Sequence, residues 1–147
     1  MVGFNIVKAL RDVSSRVLPV ASATFVAGDL IELTAGSANW AKCTSSSNYF
    51  SRKAIVHSGG TTVTSVLAQE LDGTELVVAA AANNSSTTYN GNRMLLTDEN
   101  TVNNVGSDSD NTSQNVCFVQ TGVVGAASDK LILGYVIVVH SVDPDAT

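Results

Sequence analysis

Charge is scarce in this chain of 147 residues. Only 14% are Asp, Glu, Lys or Arg, against about 25% in ordinary soluble domains. Eight basic residues against 13 acidic ones give a net charge of -5. That balance argues against a nucleic-acid partner, because phosphate binding needs a cationic surface. Cysteine is nearly absent, with only Cys43 and Cys117. Two cysteines and two distant histidines, His57 and His140, do not make a structural zinc site, so no metal is expected. The expected state of both cysteines is a reduced, buried small hydrophobe; the sequence does not decide whether the two sulfurs meet. Long apolar runs are missing as well. Leu76 to Ala82 and Leu131 to Val139 are the longest, far below the ~18 residues a membrane helix needs. Ala21-Ser22-Ala23 imitates a signal-peptide cleavage site, but Lys8, Arg11, Asp12 and Arg16 interrupt the segment before it. No apolar core of a signal peptide remains, and synthesis in the cytoplasm is the expectation, with no membrane partner.

What is present points to β structure. Hydrophobic residues make up 44% of the chain, enough for one well-cored domain at this length. Valine is far commoner than leucine, and Ser, Thr and Asn are abundant. β-branched residues fit a pleated surface, while Asn, Ser and Gly serve turns.

From Ala21 onward, short apolar segments alternate with turn signals. The expected strands are 24–27, 30–33, 40–44, 52–57, 61–67, 75–80, 93–97, 116–120 and 131–140. Asp72-Gly73 and Asn90-Gly91 are hairpin signals, since both central residues tolerate positive φ. The expectation is an all-β sandwich or barrel of about eight or nine short strands. Ser65 to Leu71 and the alanines at 79 to 82 also suit a short helix. Asn83 to Tyr89 and Asn100 to Gln114 read as long polar loops. No internal repeat is visible.

Residues 1–20 read as a separate arm, and 21–147 as the β domain. Ile6, Leu10, Val13 and Val17 fall on one face of a helix, and Pro19 ends any helix before it. The arm is therefore helical or extended. It either packs on its own domain or docks on another chain. In the second case Val2, Phe4, Ile6, Lys8, Leu10 and Arg11 are the expected contacts, and its removal leaves the β domain folded.

Catalytic constellations fail one by one. No G-x-S-x-G elbow exposes a serine, and His57 beside Ser58 has no further partner in the pattern. Asp108, Asp110 and Thr112 have calcium-loop spacing, but Ser113 replaces the turn glycine and Val119 the bidentate glutamate. No phosphate-binding loop is present. The chain is expected to be no enzyme and to need no cofactor.

The second half carries a resemblance. Gly91-Asn92-Arg93-Met94-Leu95-Leu96-Thr97 leads through Val102 and Val105-Gly106 to the run from Val116 to Val124 and then Lys130-Leu131-Ile132-Leu133. This resembles a β module of small tailed-bacteriophage structural proteins. Ala27 to Leu33 and Trp40-Ala41-Lys42-Cys43 are similar to the opening strands of head decoration, or cement, proteins. The resemblance implies a virion structural protein on the capsid surface, made in the host cytoplasm. It implies the major capsid protein as partner and a homo-oligomer, a trimer as in similar cement proteins. Trp40, Tyr49, Phe50 and Tyr89 are the expected subunit-interface residues. The alternative is a fibre, spike or tail component that binds surface glycan through Trp40, Tyr49 and Tyr89.

Overall fold

A computed structural model describes residues 3–9, 14–108 and 115–138. The fold is all-β, with eleven strands in two antiparallel sheets among the described residues. The strands are β1 (Phe4–Lys8), β2 (Arg16–Phe25), β3 (Leu30–Leu33), β4 (Ala41–Lys42), β5 (Arg52–Ser58) and β6 (Gly60–Glu70). They continue with β7 (Leu76–Ala80), β8 (Arg93–Asp98), β9 (Thr101–Asp108), β10 (Phe118–Val124) and β11 (Leu131–Val136).

The first sheet has the order β2-β6-β5-β3-β4. A parallel bridge between Val20 and Trp40 brings its two ends together, with the Trp40 N–H donating to the Pro19 carbonyl at 2.8 Å. The sheet is thus nearly a closed barrel. Pro19 has no N–H to give a ladder, and it sits on the terminal strand, where that omission is tolerated. The second sheet has the order β1-β7-β11-β10-β8-β9. Here a parallel bridge joins Ala81 to Val102. Without β1, its five strands repeat the order and directions of the first sheet, strand for strand. The chain is two copies of one topology, although no repeat shows in the sequence. Topology is set by which strands pair, and many apolar patterns satisfy the same pairing.

Two cores follow from side-chain alternation. Ile31, Ala54, Val56, Val66 and Ala68 point into the first unit with Leu18, Val20, Phe25 and Trp40. Their neighbours Leu30 and Ile55 point the other way, against Val77, Met94, Phe118 and Ile132 of the second sheet. Successive residues of a strand face opposite sides, so β3 and β5 contribute to both cores. Gly134 lets β10 and β11 pack closely: a Cβ there would lie 2.0 Å from the Val119 carbonyl oxygen and 2.8 Å from the Phe118 ring.

Several expectations are corrected. Of the two forms expected for the arm, helical or extended, the described part takes the extended one: Phe4–Lys8 is a strand that pairs with β7. Ile6 and Val7 are β-branched, and the waiting edge of β7 outweighs the weak helical spacing. Phe4 is fully buried in the shared core, its ring 6.2 Å from that of Phe118. It is therefore no surface contact, and the boundary at residue 20 falls inside β2. Asn100 to Gln114 is not all loop, because it holds β9. There Val102 and Asn104 are both fully buried, an alternation hidden by the polarity of Asn104. Ser65 to Glu70 completes β6, and Ala79 and Ala80 complete β7, so both ambiguous segments are strands.

Candidate functional site

The four aromatic residues expected at an interface do not come together. Trp40 is buried inside the first unit, with the Arg52 guanidinium 5.5 Å from its ring centre. It is closed to a glycan or a neighbouring subunit. Tyr89 lies in a 3-10 turn, Thr87–Tyr89, half-buried against the shared core. Tyr49 and Phe50 stack on each other, with ring centres 4.4 Å apart, and Phe50 is exposed. Of the expected capsid contacts, Ile6 is half-buried and Lys8 is exposed. Val2, Leu10 and Arg11 lie outside the described residues, as does His140.

A buried polar cluster occupies the seam between the units. Lys53 is fully buried on β5. Its Nζ donates to the Asn48 carbonyl at 2.6 Å, the Ser51 carbonyl at 3.1 Å and Ser51 Oγ at 2.5 Å. Ser51 Oγ in turn donates to Glu32 Oε1 at 2.7 Å, and Ser47 Oγ donates to the other Glu32 oxygen. Lys53 and Glu32 stand 3.9 Å apart, bridged by the Ser51 hydroxyl. A serine beside a lysine has the parts of a nucleophile and base. Here all three Nζ bonds fix the segment between β4 and β5, and Ser51 is itself buried, so the cluster is an anchor. Cys117 Sγ donates to the Ser47 carbonyl at 3.3 Å. Burial pushes the Cys117 thiol up to about 11 and raises Cys43 well above the usual thiol range. Both cysteines are free and buried, as expected, and protonated thiols of this kind are poor nucleophiles.

A cleft of about 490 Å³ is lined by Arg16, Arg52, Gln69, Glu70 and Asp72 among others. Glu70 accepts from Arg52 Nε and Nη2, both at 2.8 Å, and from Arg16 Nη2 at 2.5 Å. The hydrogen bonds from Arg52 hold its carboxyl below the usual range, with the charges of Arg52 and Arg16 adding to them. The carboxylate is matched to the two guanidiniums, a geometry that ties β2, β5 and β6 together. His57 is exposed and pairs with the Ser15 hydroxyl rather than with Ser58. Among the described residues, no three or more His, Cys, Asp or Glu side chains are grouped to hold a metal ion.

One surface was missed by the sequence reading. Val77, Ala79, Phe118, Ile132 and Val136 turn inward to the shared core. The alternate residues of β7, β10 and β11 therefore turn outward. Arg93, Val119 and Tyr135 lie in one row across β8, β10 and β11. Leu133 stands opposite Val78 on β7 and Gly122 on β10, and Leu131 stands opposite Ala80 and Val124. Nothing charged interrupts β7, β10 or β11 on this side. The signal was the unbroken character of Leu76 to Ala82 and Leu131 to Val139. A sheet with one wet face alternates apolar and polar residues, whereas a strand covered on both faces reads as a continuous run.

A scan of known protein-family models finds no match to the chain. No curated protein is significantly similar to it in sequence.

Proposed function

We propose that the chain is a capsid decoration protein. It binds the outer surface of a tailed-phage head, as a homotrimer, and holds neighbouring capsomers together. The observation that carries this reading is the construction of the body. Two five-stranded units of one topology share a core, and a buried Lys53–Ser51–Glu32 cluster anchors the segment between β4 and β5. A cement protein resists displacement of its neighbours, and close-packed interiors of this kind deform little under load. The role requires partner surfaces and no catalysis. The segments that carry the resemblance supply β3, β4, β8, β10 and β11 and reach into β9. Lys8 and Ile6 are the described candidates for contact with the shell.

The test is the stoichiometry of this chain in purified particles, by quantitative mass spectrometry against the major shell protein. A copy number comparable to that of the shell subunits, or a simple fraction of it, is expected. A handful of copies per particle would place the chain in the tail or fibres, and its absence would overturn the virion reading.

A further inference from the structure

The outward face of β7, β10 and β11 carries a continuous set of apolar side chains. Leu76, Val119, Leu131, Leu133 and Tyr135 are each half-buried there, and Val78 among them is buried. Two adjoining hollows of about 350 and 330 Å³ indent it, and they share Val119 and Ile137. The first reaches Asp72 at one end of the face. The second reaches Tyr49 and the exposed Arg93 at the other. The middle of this strip is uncharged, and its ends carry opposite charges.

We infer that this face is the one through which the chain associates with a second copy of itself. An apolar centre rimmed by charge is the usual anatomy of a protein interface. The charge order selects the occupant. A copy laid across the face in the reverse sense sets its Arg93 end over the first chain's Asp72 end, and the reverse pairing follows at the other rim. A face that carries both members of its charge pairs is self-complementary, as a symmetric contact requires. Val119 is the centre of the contact because it belongs to both hollows and lies between Arg93 and Tyr135 in the cross-strand row. A β-branched side chain there fills a hollow of the partner, while the Tyr135 ring supplies broad apolar area. Tyr49 is the one member of the expected aromatic set that reaches this face.

A two-fold contact of this kind joins copies in pairs, so the inference is separate from the trimer of the proposed function and from attachment to a capsid. Sedimentation velocity on the purified full chain tests it, comparing the parent with Val119→Glu and Arg93→Glu. Both substitutions lie on the outward side, so far-UV circular dichroism should be unchanged. The parent should sediment with an even number of copies, as a dimer or as paired trimers. Val119→Glu should weaken association by more than about a hundredfold, and Arg93→Glu by about tenfold, with a steeper loss for Arg93→Glu at low salt. A parent that is a monomer or an odd-numbered oligomer at all concentrations would overturn the inference, and so would a Val119→Glu variant that keeps the parent's size with native dichroism. Either result leaves the particle stoichiometry untouched, so failure of the interface and failure of the virion reading are told apart.

Discussion

Asp29 shows how a single side chain sets a local cost. It is almost wholly buried in the turn before β3. Its Oδ2 accepts from the Val26 N–H at 3.0 Å, while Oδ1 has no hydrogen-bond partner. Burial raises its pKa, and the charges of Glu99 and Asp98 add to the rise, against Lys42. Folded Asp29 therefore keeps its proton to higher pH than it does in the unfolded chain. Across that window the native state binds more protons, and stability falls as pH rises through it. Asn at this position keeps an acceptor for Val26 and cannot ionise. Asp29→Asn should raise the melting temperature at neutral pH, with the advantage shrinking as the pH enters the carboxylate range. A variant less stable than the parent at neutral pH would contradict this assignment. Nothing in the sequence around Gly28-Asp29 signals the burial, because Glu99 and Asp98 approach Asp29 only through the tertiary fold.

The segment between β4 and β5 is decided by side chains rather than by strand pairing. It runs Cys43-Thr44-Ser45-Ser46-Ser47-Asn48-Tyr49-Phe50-Ser51 and reads as an ordinary polar loop. Ser47 Oγ accepts from the Thr44 N–H at 2.8 Å, and Asn48 Oδ1 accepts from the Phe50 N–H at 2.9 Å. Lys53 then draws the Asn48 and Ser51 carbonyls inward. Removing one member of a buried charged pair leaves the other uncompensated, at a cost of about 3–5 kcal/mol. Lys53→Ala should therefore lose about that much stability in chemical denaturation. Lys53→Met with Glu32→Gln, which removes both charges, should lose less. Equal losses would show that packing of the lysine stem, and not its charge, is what counts. Lys53 begins the run Lys53-Ala54-Ile55-Val56 and is buried with it, because both faces of β5 are covered, one by each core.

At the scale of the molecule, β1 links the ends of the chain's architecture. It adds a sixth strand to the second sheet, and Phe4 enters the core that Leu30 and Ile55 of the first unit also enter. The two units therefore share apolar burial: the first core is built from residues 18–68 alone, whereas the second takes Leu30 and Ile55 from the first unit. Replacing a buried Phe with Ala costs about 3–5 kcal/mol. Phe4→Ala should lower stability by about that amount and still unfold in a single transition, with fluorescence of Trp40 in the first unit and far-UV dichroism coinciding. Two separated transitions would show that the units fold independently. Deleting residues 1–17 is not a neutral way to test an arm, since it removes Phe4 and the start of β2. Substitution at exposed Lys8 tests shell contact without touching the core.

The chain's composition and punctuation were enough to determine the β class and most strand positions. Leu30–Leu33, Arg52–Ser58 and Arg93–Asp98 could be found from apolar segments bounded by Gly, Asn and Asp, because turn chemistry and β-branching act within a few residues. The two free thiols could be expected on similar grounds. Only the tertiary structure decided that Phe4–Lys8 is a strand, that Asn104 can lie fully buried in β9, and that two dissimilar halves share one topology. β1 exists because β7 offers it an edge. Asn104 is tolerated because its amide meets the Asn83 and Asn84 carbonyls and its oxygen the Asn83 N–H. The shared topology follows from strand pairing, a contact between residues far apart in the chain that no local pattern records.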